Sequence, residues 1–105
     1  MQTPTLDQLI LQWRHFVDEI RSGYGSSIYE YDNDLATRRL IEEKLLLLGT
    51  EGRSVAESVA AIDDEFRQLT RERRKPMSVL VGWWYNRVPL HSGPELESDL
   101  QANGE

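Results

Sequence analysis

Cysteine is absent from the 105 residues. Disulfides, thiolate nucleophiles and cysteine-ligated zinc or iron–sulfur centres are therefore excluded. A chain without thiols suits a reducing cytoplasm, the compartment expected for it. Histidine is almost absent: His15 and His91 are the only two. They stand far apart and neither has a partner at a metal-ligand spacing, so no metal site and no cofactor is expected. Glycine-rich phosphate loops and nucleophile elbows are missing too, and no catalytic residue can be named from a motif. Carboxylates are plentiful, but 18 acids in a chain this short make pairs by accident. The longest apolar run, Leu45 to Leu48, falls far short of the roughly 20 residues that cross a bilayer. Met1 to Asp7 lacks the basic stretch and apolar run of a signal peptide. Basic residues are the minority, 12 Lys and Arg against the 18 acids, for a net charge of -6. Binding to nucleic acid rests on Lys and Arg displacing counterions, so it is not expected of the chain as a whole. The excess of acid suits solubility or a basic protein partner.

What the chain does have is helical periodicity. Leu6, Leu9, Ile10, Trp13, Phe16, Val17 and Ile20 recur at the spacing of one buried helix face. Thr5 and Gln8 form a capping box in front of them, and Gly23 supplies the stop. Val55, Val59, Ile62, Phe66 and Leu69 repeat the pattern in a helix expected to open at a Ser54–Glu57 capping box and run to about Arg73. Tyr31, Leu35, Ile41, Leu45 and Leu48 give a less regular version. There the Asp32-Asn33-Asp34 triplet favours a break, with a short turn at Ile28 to Tyr31 before a longer helix from about Asn33 to Leu48. Met77 to Val88 fits either a strand or a helix. A lone strand in a helical domain has no ladder partner, so a fourth, shorter helix is expected there, ending before Pro89. The expected fold is all-α: a bundle of three main helices plus a shorter C-terminal helix in residues 1–90. Residues 91–105 are expected to form an acidic, loosely ordered tail, with room for one helical turn around Glu95 to Leu100. The core is expected at Trp13, Phe16, Ile41, Leu45, Ile62, Phe66 and one tryptophan of the Trp83-Trp84 pair.

Two groups of residues stand out as sites. The first is a polar notch of Tyr29, Tyr31, Asn33, Asp34 and Arg38. Asp32 and Asp34, with Glu43 twelfth in the run, match the outline of a calcium loop, but Ala36 and Thr37 occupy the third ligand position and the obligatory glycine. Arg38 lies on the apolar stripe of its helix, so its guanidinium must be held by acceptors, and Asn33 and Asp34 are the expected ones. The second is Trp83, Trp84, Tyr85 and Arg87. Adjacent helical residues point about 100° apart, so one tryptophan is expected in the core and the other at the surface, beside Arg87. Exposed Trp and Tyr beside Arg is the chemistry of a protein-binding hot spot. The basic run from Arg71 to Lys75 reads as a solvated helix end. The leading expectation is a non-enzymatic protein-interaction module, with an inhibitor or immunity-type protein for a basic partner as one form. The alternatives are a small enzyme or ligand- or metal-binding protein with its site at Glu30–Arg38, and a nucleic-acid-associated regulator using Arg71–Lys75.

Overall fold

The computed structural model describes residues 4–74 and 82–105. Three long helices, α1 (Leu6–Ser22), α2 (Ile28–Leu48) and α3 (Arg53–Leu69), carry most of the chain. A 3-10 turn at Gly49–Gly52 joins α2 to α3. Strand β1 (Thr70–Glu72) follows α3 directly. A second 3-10 turn, Trp83–Asn86, leads into β2 (Arg87–Pro89) and then α4 (Pro94–Ala102). Both halves of the Thr5–Gln8 capping box are made. Gly23 ends α1 at φ 98°, a left-handed conformation that costs glycine nothing sterically.

The amphipathic stripes bury as their spacing demands. Leu9, Trp13, Phe16, Val17 and Ile20 of α1 meet Val59, Ile62 and Phe66 of α3 and Tyr31, Leu35 and Ile41 of α2 in one core. Phe16 sits at its centre, with ring centroids 5.4 Å from Trp13, 5.6 Å from Tyr24 and 5.5 Å from Tyr31. Leu45 packs at the margin of the core rather than inside it.

Four expectations are corrected. First, α2 does not break at Asp32-Asn33-Asp34. The Asp34 carboxylate accepts a hydrogen bond from the Tyr24 hydroxyl at 2.6 Å, and Asp32 accepts from Arg73 at 2.6 Å. Side chains engaged elsewhere do not compete for the helix backbone. Second, α3 has Gly52 as its N-cap with no side-chain cap bond, so Ser54 and Glu57 lie inside the helix. It ends at Leu69, short of Arg73. Third, the segment expected as a helix over Met77–Val88 is, where it is described, a 3-10 turn followed by a strand. Trp83–Asn86 is a single 3-10 turn, and Val88 pairs with Arg71 in an antiparallel ladder of Thr70–Glu72 against Arg87–Pro89. The ladder partner whose absence argued against a strand is the end of the presumed third helix. Residues 75–81, which include the first part of that segment and the end of the Arg71–Lys75 run, lie outside the described residues.

Fourth, the short C-terminal helix is α4, within residues 91–105. Pro94 occupies its first turn, and Leu96 and Leu100 are buried in the core. Asp99 accepts from the backbone N–H of Ile28 at 3.0 Å, tying α4 to the start of α2. The connection passes close to the Tyr24 carbonyl, which accepts from the Gly93 N–H at 2.8 Å. A Cβ at Gly93 would stand 2.9 Å from that oxygen, so the approach needs glycine.

Candidate functional site

Arg38 is buried on the inner face of α2, as its phase predicts, but Asn33 and Asp34 do not hold it. Its Nε donates to Asp63 Oδ1 and one Nη to Asp63 Oδ2, both at 2.9 Å, while the other Nη donates to Glu42 at 2.8 Å. The Trp13 indole N–H donates to the same Asp63 Oδ1 at 3.0 Å, and the Trp84 ring faces the guanidinium with its centroid 4.8 Å away. Burial by itself would pull the Arg38 pKa down; the hydrogen bonds and the negative charges of Asp63 and Glu42 outweigh it, and the net direction is up. This cluster joins α1, α2 and α3 from inside. With only 6% of Arg38 and 5% of Asp63 exposed, the pair lies inside the fold.

The other notch residues disperse. Tyr29 is 83% exposed on the outer side of α2. Tyr31 is fully buried, with its hydroxyl donating to the Arg87 carbonyl at 2.7 Å. Asn33 is exposed, and Asp34 binds Tyr24. Among the described residues no group of His, Cys, Asp and Glu could hold a metal ion.

The second group splits in two. Trp84 and Tyr85 are buried in the core, whereas Trp83 is half-buried at its edge against Phe66, with centroids 5.9 Å apart. Trp83 and Arg87 line a surface cleft of about 390 Å³ together with Arg67, Glu72, Arg73 and Asn86. The Arg67 guanidinium lies over the Trp83 ring, 3.9 Å from its centroid. Arg87 reaches back across the β1–β2 pair and donates to Thr70 Oγ1 at 2.8 Å, to the Thr70 carbonyl at 2.9 Å and to the Arg67 carbonyl at 3.1 Å. All three acceptors are neutral, and among the described residues Arg87 makes no ion pair, although Glu72 stands opposite it in the β1–β2 register. Arg73 is paired with Asp32 at 2.6 Å, while its Nε is buried without an acceptor. An uncommitted buried N–H of this kind is costly to leave unmade. The cleft is lined by three guanidiniums and an indole face, with Glu72 the one acid among the described lining residues; Arg67 pairs with Asp64 at 3.2 Å and Arg73 with Asp32 at 2.6 Å, which leaves Arg87 as the guanidinium outside an ion pair.

Arg67, Arg73 and Glu72 were not singled out by the sequence as one site. The basic run hinted at it, but as a helix end. The chain turns into β1 instead, and the run leaves the helix. Arg71 bonds Glu105, through its side chain at 3.2 Å and its carbonyl at 2.9 Å, while Arg73 enters the cleft. Comparison with protein-family models, curated proteins and solved structures found no match to this chain. Among the described residues no helix is long and apolar enough to cross a membrane.

Two buried tyrosines beside these clusters, Tyr24 and Tyr31, are expected to make stability fall at alkaline pH. Burial, then the hydrogen bond to Asp34 and its negative charge, push the Tyr24 hydroxyl well above the usual tyrosine pKa. Burial pushes Tyr31 up as well, with Arg73 opposing and Asp32 reinforcing. Raised folded pKa values mean that the native state keeps protons which the unfolded chain releases near pH 10. The resulting stability is whole below about pH 10 and falls as pH rises, by about 1.4 kcal/mol per pH unit for each tyrosine. The urea midpoint is expected to drop steeply above about pH 10, and Tyr24→Phe to remove close to half of that slope. Native tyrosinate absorbance rising near pH 10 for all four tyrosines would contradict this assignment.

Proposed function

We propose that the protein is a non-enzymatic protein-interaction module and that its cleft captures an acidic segment of the partner. The observation that carries the reading is Arg67 stacked on the half-buried Trp83 beside Arg87, which makes no ion pair among the described residues and bonds neutral acceptors alone. Guanidiniums grip carboxylates in a fixed fork and stay charged at any physiological pH. They suit holding an anion better than moving protons, which supports binding over catalysis. Trp and Arg in a partly desolvated cleft are also the residues that dominate protein interfaces. The net charge of -6 speaks for a basic partner. The local charge at the cleft is positive, however, and a docked segment feels the local field first. A protein that masks its partner, as an inhibitor does, is one form of this module. A cytoplasmic setting belongs to the same proposal and rests on the absence of cysteine.

Affinity capture with the wild-type chain and with Trp83→Ala and Arg67→Ala tests it. A partner cross-linked at the cleft should contribute peptides rich in Asp and Glu. Trp83→Ala should weaken that partner's binding by about 2 kcal/mol, roughly thirtyfold, with the melting transition retained. Arg67 is largely exposed, so its replacement should weaken binding without touching stability. Equal capture by all three proteins would remove the cleft from the interface.

A further inference from the structure

Helix α2 carries apolar residues on two opposite sides. The inner side, with Tyr31, Leu35 and Ile41, belongs to the core. The outer side runs Tyr29, Asn33, Ala36, Leu40, Glu43, Leu47, at alternating steps of four and three. That is the spacing of a coiled-coil seam. None of the six is buried, and Leu47, 87% exposed, stands out beside Tyr29. Leucine and tyrosine at these positions, on a helix already anchored from its other side, are an apolar stripe that nothing in the described chain covers.

We propose that this face pairs with α2 of a second copy, antiparallel, about a two-fold axis at the level of Arg38. The stripe is self-complementary in that register and in no parallel one. Tyr29 opposes the partner's Leu47, Ala36 opposes the partner's Leu40, and Asn33 opposes the partner's Glu43. Each large residue meets a smaller or flexible one, and the amide donates to the carboxylate. On one flank Glu30 lies across from the partner's Lys44. Neither side chain has a hydrogen-bond or ion-pair partner among the described residues of its own chain. A parallel pair would instead set Glu43 against the partner's Glu43, a like-charge contact at the seam. The two-fold makes every favourable contact occur twice, as an isologous interface does. The other flank brings Arg39 near the partner's Arg39, a repulsion that salt screens, so the association is weak and reversible.

Sedimentation of the full chain over a wide concentration range reads this directly. The average mass is expected to rise with concentration from 12.2 kDa toward twice that value. Leu47→Glu should leave a monomer, and being a surface change it should keep the helical circular dichroism. Lys44→Glu and Glu30→Lys should each weaken self-association about tenfold, the effect of two symmetry-related charged contacts taken together, and the double reversal should restore it. A mass that stays at the monomer at every concentration overturns the proposal. So does a dimer indifferent to Leu47→Glu, or one that the double reversal does not recover.

Discussion

Replacing Asp63 with Ala is expected to cost about 3–5 kcal/mol, a large share of the roughly 5–15 kcal/mol that holds a domain of this kind together. The carboxylate satisfies three donors at once, the Trp13 indole and two nitrogens of Arg38, at 2.9 to 3.0 Å. Its removal leaves a buried guanidinium with Glu42 as its remaining carboxylate partner, and an indole N–H with none. The cost lies in those stranded groups more than in the lost attraction. Arg38→Ala should be destabilising for the mirror-image reason, a buried carboxylate without its countercharge. The two losses should be far from additive, because the double variant strands fewer groups than the sum implies. Asp63→Asn keeps an acceptor for Trp13 and should fall between wild type and Asp63→Ala. Urea unfolding gives each value. A loss below about 1 kcal/mol for Asp63→Ala would mean that the cluster is not what joins the three helices.

Phe66→Ala is expected to cost about 3–5 kcal/mol as well, by another mechanism. Phe66 is fully buried, with ring centroids 5.0 Å from Trp13, 6.2 Å from Phe16 and 5.9 Å from Trp83. Truncation opens a cavity among rings that have no room to collapse. Because Phe66 also backs Trp83, the same change should loosen the cleft, shifting tryptophan emission toward that of an exposed indole before global unfolding. A stability loss under about 1 kcal/mol would place Phe66 outside the core.

Where the periodicity was strong, the sequence was enough. Every buried residue of α1 lies on the stripe its spacing predicts, and the capping box that starts it is made. The burial of Arg38 was legible from its phase on α2; its partner was not. Asp63 reads as part of a solvated acidic trio with Asp64 and Glu65, yet it stands four residues after Val59 and three before Phe66, on the stripe of α3. A charged residue out of place on each of two apolar stripes is the signal that could have paired them. The strand was missed because its partner, Thr70–Glu72, continues the polar composition of the helix before it. α4 was underestimated because two leucines are a faint stripe, and its anchors to Ile28 and Tyr24 are distant in sequence. The cleft was half legible. Trp83 and Arg87 were named, but a hairpin-like pairing brings them against Arg67 and Arg73. No local pattern encodes that contact.

The claim that this cationic cleft recognises acidic protein segments is tested most directly by binding the intact chain to an array of peptides graded in Asp and Glu content. Binding is expected to rise with acid content, to weaken as salt is added, and to fall sharply for Trp83→Ala and Arg67→Ala. Binding indifferent to acid content, or unchanged in both variants, would contradict the account.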